Sequence, residues 1–354
     1  MFMRFWSLLV ALALSVAAVR GAEPVPRKFG SLADVLAASG PGDWRPLDPE
    51  NTLYLELPSG RVVIELAPAF APRHVANVKA LVREHYYDGL AIVRAQDNYV
   101  VQWGDPNAEQ PALARKVRHA AARLPAEFES AIIPGSSFQR LPDGDVYALE
   151  VGFLEGLRVA RDPQNGKMWL IHCYGMVGAG REVPSDSGGG TELYVVIGHA
   201  PRHLDRNVTL LGRVVQGMEL LSTLPRGTGA LGFYTKPEER VPIKALRQAS
   251  EVPASERTVL EALRTDTPLF QELLAFCRSR DGEWFKFHPG RVEIANVPLP
   301  VRRASRREPR FKPRVARLSQ PRAVRYFPFR ISGGNPHPRP SPSPPSGPAA
   351  ALFP

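Results

Sequence analysis

Cysteine is scarce in this sequence: 354 residues contain two, Cys173 and Cys277. Two cysteines with no histidine at ligand spacing exclude a zinc module and limit any disulfide framework to one bridge. The spacing leaves two readings open, a disulfide tying a C-terminal helix to the body or a pair of buried thiols. Long hydrophobic runs are also scarce. The one such run, Phe5–Val19, follows Arg4 and precedes small residues. It falls short of the roughly 20 residues a membrane span needs and has the form of a secretory signal peptide. Removal near Ala22 is expected, which places the mature chain in the periplasm or outside the cell, with no transmembrane segment left. No Ser-His-Asp arrangement, metal-ligand cluster or internal repeat is legible.

The body of the chain lacks net charge. The total is +10, but residues 301–354 hold 12 of the 45 Lys and Arg and one of the 35 acids, leaving 33 basic and 34 acidic residues in 1–300. The high isoelectric point is therefore no sign of a specific nucleic-acid-binding fold. It belongs to a basic, proline-rich tail that cannot bury enough apolar surface to fold and whose charge suits contact with anionic surfaces.

What is present is pattern. In 53–66, alternating apolar residues flank Pro58-Ser59-Gly60, a hairpin signal. Val75, Val78, Leu81 and Val82 recur at helical spacing, and Gly89 follows. An apolar run with one charged residue, Arg94, then ends in Gln102-Trp103-Gly104-Asp105. A second clear stretch spans 174–218, with Met176-Val177-Gly178-Ala179-Gly180, a strand over Glu192–Ile197 and Leu204–Met218. Val241–Leu246 reads as a closing strand. Elsewhere, Ala112–Leu124 is predicted helical, Met168–Ile171 a strand, 255–280 one or two amphipathic helices with Pro268 at a break or start, and 284–300 a short strand and loop.

The strand–turn–strand–helix–strand order of 53–105 resembles the N-terminal half of a cyclophilin, the peptidyl-prolyl isomerase family, in a divergent, exported bacterial form. The family motif F-H-R-V, followed by F-M-x-Q-G-G-D, is matched by Ile92-Val93-Arg94-Ala95 and Tyr99-Val100-Val101-Gln102-Trp103-Gly104-Asp105. The family's S-Q-F-F, L-D-G-x-x-x-x-F-G and M-A-N-A-G are matched by Thr191–Tyr194, Leu204–Gly212 and Met176–Gly180. The resemblance implies a mainly β fold, a closed eight-stranded antiparallel barrel capped by helices. The domain plan that follows is a signal peptide over 1–22, a lead-in over 23–50, the barrel over 51–250 with an insertion around 106–170, a helical extension over 251–300, and the tail from 301.

The same resemblance nominates the site. Arg94 takes the catalytic place and Gln102 orients it. Tyr99, Val100, Tyr194 and Leu204 line the proline pocket, while Val177, Gly178 and Glu192 bind substrate. The implied chemistry needs no metal or cofactor. A peptide C–N bond resists rotation with a barrier of roughly 18–20 kcal/mol. In the twisted state its nitrogen becomes a hydrogen-bond acceptor, and a fixed guanidinium aimed at it favours that state over the planar one. The partners implied are proline-containing segments of unfolded or exported proteins.

The departures from the family pattern are specific. Val93 replaces the histidine before the arginine, Glu192 a glutamine, Gly178 an asparagine, Val208 a pocket histidine and His203 a tryptophan. They point to weak or redirected isomerase activity, or to a proline-peptide-binding or chaperone module without turnover.

Overall fold

The structure, a computed structural model, describes residues 29–304. The expected signal peptide and all but the first residues of the expected tail lie outside them. The described chain opens with α1 (Leu32–Ala37), capped by the Ser31 side chain, and β1 (Trp44–Pro46). The hairpin read from the sequence follows as β2 (Thr52–Leu57) and β3 (Gly60–Leu66), and the periodic segment is α2 (Pro72–Arg83). The Arg94 run is a second hairpin rather than one strand: β4 (Ala91–Ala95) and β5 (Val100–Gly104) pair across a turn in which Asn98 takes a left-handed φ of 49°.

The stretch 106–170 is where sequence and structure differ most. Ala112–Leu124 is not a helix. Beyond a turn in which Leu113 and Ala114 donate to the Gln110 carbonyl, several of its N–H groups find side-chain acceptors on the barrel: Arg115 donates to Asp105, Arg118 and His119 to Glu84, and Ala121 to Asn77. With those donors satisfied locally, an isolated Ala-rich turn gains little by coiling. Downstream stands a five-stranded antiparallel sheet: β6 (Ser130–Ala131), β7 (Gln139–Leu141), β8 (Glu150–Leu154), β9 (Leu157–Asp162) and β10 (Lys167–Leu170), in the order β6-β10-β9-β8-β7.

The chain returns to the first sheet with β11 (Met176–Ala179), β12 (Leu193–Val196) and β13 (Leu210–Gln216), then α3 (Met218–Ser222), β14 (Val241–Pro242) and β15 (Ala245–Gln248). This sheet runs β14-β4-β5-β12-β11-β13-β3-β2-β15. Its two edge strands are halves of one segment. Ile243 exchanges hydrogen bonds with Gly89 and Leu90 on the β4 side, and Lys244 donates to Glu56 on β2. The sheet therefore curls until both edges meet on residues 241–248. The expected closing strand is in this way two short strands with a step between them.

The region after 250 is less helical than expected. β16 (Leu260–Leu263) stands where a helix was predicted, and only α4 (Pro268–Ser279), with Pro268 in its first turn and Thr267 as cap, is helical in the predicted sense. Residues 284–300 contain a single 3₁₀ turn at Ile294–Asn296 and no strand. β17 (Val301–Arg303) pairs with β16, which also pairs with β1, so the folded chain runs past residue 300.

Strand alternation divides the apolar residues into two main cores. Val101, Trp103, Leu193, Val195, Val177 and Ala179 point into the barrel with Val75, Val78 and Leu81 of α2. Their neighbours Val100, Tyr194, Val196 and Met176 face outward and join a second core with the inserted sheet and α4. There Phe153 meets Phe270 edge to face at 5.0 Å. Cys173 and Cys277 both belong to this second core as free, buried thiols. Burial pushes the Cys173 thiol up to about 12, so it stays protonated and inert.

Candidate active site

The antiparallel register sets four residues in one row across the outer face of the barrel. Arg94 on β4 is opposite Gln102 on β5, Gln102 is opposite Tyr194 on β12, and Tyr194 is opposite Gly178 on β11. A bulge between Ile92 and Arg94 turns the arginine outward while Ile92 and Ala95 stay in the barrel core.

The guanidinium is held from three sides. Its Nε donates to the Leu231 carbonyl at 2.7 Å, Nη1 to Gln102 Oε1 at 3.1 Å, and Nη2 to Gln96 Oε1. Tyr99 and Phe233 flank it, their ring centroids 5.6 and 5.3 Å from Cζ. Burial lowers the guanidinium from its ordinary value, opposed by Tyr99 and Glu192, and it remains a cation at any neutral pH. Such a planar donor fixed at several points can be aimed; a solvated surface arginine cannot.

Gln102 passes the constraint on. Its Nε2 donates to Glu192 Oε2 at 2.5 Å, which fixes the amide so that its oxygen faces Arg94. Burial holds Glu192 above the usual carboxylate range. The Gln102 bond opposes this, while Glu182, Glu109 and Asp105 add to it.

Tyr194 is buried, and its ring lies over Gly178. A Cβ on Gly178 would sit 2.4 Å from the ring carbon Cζ and from the hydroxyl oxygen. The hydroxyl lies 2.8 Å from His172 Nε2, and His172 Nδ1 lies 2.9 Å from Asp205 Oδ1. The carboxylate can only accept, so Nδ1 carries the proton and Tyr194 donates to Nε2. Burial lowers the His172 imidazole, with Asp205 opposing, and drives the Tyr194 phenol far up. Both are neutral, and the ring is fixed in place. Asp205 is braced in turn by Arg202 at 2.6 Å, which also grips Asp145 of the insertion at 2.7 and 2.9 Å.

Arg94, Gln102, Glu192 and Tyr194 line a groove of about 710 Å³. Of the residues nominated from sequence, Arg94, Gln102, Tyr99, Val100, Glu192, Tyr194 and Leu204 stand on it. Val177 and Gly178 do not. Val177 points into the barrel core and is fully buried. Gly178 lies beneath Tyr194 and makes room for it. Period-2 alternation from Val177 already separates it from the groove face. Leu231 and Phe233, which wall the arginine, come from a turn around the positive-φ Gly232. His172 and Asp205 lie 33 residues apart in sequence and are not paired by inspection. Among the described residues, no group of three or more His, Cys, Asp or Glu could hold a metal ion, and no helix is long and apolar enough to cross a membrane.

A curled antiparallel barrel with an arginine-bearing groove on its outer face defines a fold class, the cyclophilin type. The comparisons with known proteins agree. The family model described as cyclophilin type peptidyl-prolyl cis-trans isomerase/CLD matches residues 52–248, more than half of the chain. The chain belongs to this family of isomerases. A "Probable peptidyl-prolyl cis-trans isomerase" of Brucella suis is 28% identical over 204 residues, covering 57% of this chain and 85% of that protein. Human "Peptidyl-prolyl cis-trans isomerase-like 1" is 30% identical over 103 residues, 29% of this chain and 55% of the relative. The crystal structure of the cyclophilin AquaCyp293 from Hirschia baltica superposes with a TM-score of 0.60 at 25% identity, covering 77% of this chain and 96% of that one. That coverage exceeds the span of the family model.

Proposed function

We propose that this protein catalyses cis–trans isomerisation of Xaa-Pro bonds in exported polypeptides, with Arg94 as the group that stabilises the twisted amide. The observation that carries the reading is the row Arg94–Gln102–Tyr194 on one groove, with the guanidinium fixed by Leu231, Gln102 and Gln96. A proline ring seated among Tyr99, Val100, Tyr194 and Leu204 is held while the preceding residue turns. The Arg94 N–H groups then meet the prolyl nitrogen as it loses conjugation. No bond is made or broken, so no nucleophile or general base enters. Glu192 adds a carboxylate beside the groove and favours substrates with basic residues near the proline. Export rests on the apolar run Phe5–Val19 after Arg4, and the site of action is then the periplasm or the exterior.

Purified full-length protein added to a short Ala-Pro-Phe-type peptide tests the activity by two-dimensional exchange NMR. Catalysed interconversion supports the reading. Binding without faster exchange assigns the chain to the non-catalytic, peptide-binding alternative and overturns it.

A further inference from the structure

Next to the Arg94 groove lies a second, larger one of about 1040 Å³, between the barrel and the 143–147 loop of the insertion. Tyr99 lines both. Its ring is 5.6 Å from the Arg94 guanidinium and stacks on His203 with centroids 6.5 Å apart and planes within 11°. The two grooves thus share one aromatic wall.

Exposed apolar side chains concentrate here. Val146 is 95% exposed, Tyr147 55% and Tyr174 49%, all on the second groove, while Val183, Leu231 and Phe233 are exposed on the first. Apolar groups left in water along a continuous track mark a surface that is covered in use. The track is also firm. Asp145 is gripped by the buried Arg202, and Asp143 by Arg278 of α4 at 2.8–3.0 Å. Val146 and Tyr147 are therefore presented by an anchored loop, which reduces the ordering cost of binding.

We infer that the second groove is a subsite for the continuing substrate chain, taking an aromatic or large aliphatic side chain a few residues from the proline. This deepens the isomerase reading and rests on it. A polypeptide held by its proline in the Arg94 groove has to leave that groove, and Tyr99 is the boundary where the two grooves meet. Tyrosines suit such a chain because their rings cover apolar side chains while their hydroxyls serve its amides. The protein then selects extended, apolar-flanked proline segments of the kind that unfolded proteins expose, beyond the residues touching the proline.

The test uses the full chain and labelled peptides with one central Ala-Pro, carrying Phe at successive positions from two to five residues away on either side, plus a Phe-free parent. Fluorescence anisotropy is expected to show about tenfold tighter binding for Phe at one or two adjacent positions on one side, the worth of burying one large side chain. Val146→Asp and Tyr174→Ala, both at exposed positions, are expected to cut that advantage to within twofold. Equal binding of all peptides, or an advantage that survives both variants, overturns the inference. So does a dimer that Val146→Asp dissolves without any peptide preference, which assigns the groove to a second copy. Exchange rates on the Phe-free peptide report separately on the isomerase reading. If they fail while the Phe advantage holds, the groove stands and the chemistry falls.

Discussion

Gly178→Ala puts the packing of the site under direct strain. The new methyl would stand 2.4 Å from Cζ and from the hydroxyl oxygen of Tyr194, where ordinary contact begins at 3.4 Å. The ring must therefore move by about 1 Å, an overpacking cost of about 1–3 kcal/mol. The same movement breaks the 2.8 Å bond to His172 Nε2, a buried polar loss of about 1–3 kcal/mol. At roughly 2–4 °C per kcal/mol for a domain of this size, melting should fall by about 4–24 °C. Calorimetry measures that fall, and exchange NMR should show kcat/KM down at least tenfold, because Tyr194 stands directly opposite Gln102. Gly178→Ala combined with Tyr194→Ala should cost less than the sum of the two single variants, since the clash is pairwise. A single Gly178→Ala variant that melts within 2 °C of wild type and keeps its activity would refute the assignment of Gly178 as the space for the Tyr194 ring.

Glu192→Gln should reduce the preference for peptides with Lys or Arg beside the proline; equal rates on acidic and basic peptide series in both proteins would contradict this. The pH dependence has a definite sign. Burial raises the Glu192 carboxyl, so the charge and the preference are present above its shifted pKa and fade as pH falls through it, at a higher pH than for a free carboxyl. Truncation after Pro300 removes β17, its pairing with β16, the 2.9 Å Arg302–Glu261 ion pair and the Arg302 stack 4.0 Å over Trp44, and should lower the melting temperature by several degrees. Truncation after Ala304 should leave the melting temperature unchanged; a fall there, or none after Pro300, would show the boundary to be elsewhere.

The parts of the fold that were legible are those where one physical signal dominates. β2, β3 and α2 have clean periods of 2 and 3.6, and Arg94 with Gln102 eight residues later falls on a hairpin whose register makes them neighbours. Apart from β10, expected as the strand Met168–Ile171, the inserted sheet was hidden because its strands are two to six residues long. Glu155 and Gly156, with φ of 51° and 79°, form its tightest turn, and such a pair carries a weaker signal than Asn-Gly. Ala112–Leu124 has helix-forming composition, but barrel carboxylates and Asn77 claim its amides, a tertiary effect outside any local window. β16 was misread because Leu260-Glu261-Ala262-Leu263 suits either period over four residues. In the site, Val177 was placed on the groove by motif alignment although strand alternation puts it inside the barrel. His172 supports Tyr194 through a contact no local spacing reveals.

The central claim is that a fixed, planar guanidinium at position 94 acts on the twisted prolyl amide. Arg94→Ala and Arg94→Lys, compared with wild type by exchange NMR on a short Xaa-Pro peptide, test it most directly. Arg94 is half-buried, and Gln102 keeps its bond to Glu192 in either variant. Both variants should therefore fold and melt several degrees below wild type, for the loss of three hydrogen bonds worth about 0.5–1.5 kcal/mol each. Removing a preorganised donor from a developing charge costs about 10²–10³ in rate, and kcat/KM should fall by that factor in Arg94→Ala. Arg94→Lys should recover less than a tenth of the loss, since an ammonium on a flexible stem cannot hold the Leu231, Gln102 and Gln96 contacts together. A folded Arg94→Ala protein with kcat/KM within threefold of wild type would contradict the account.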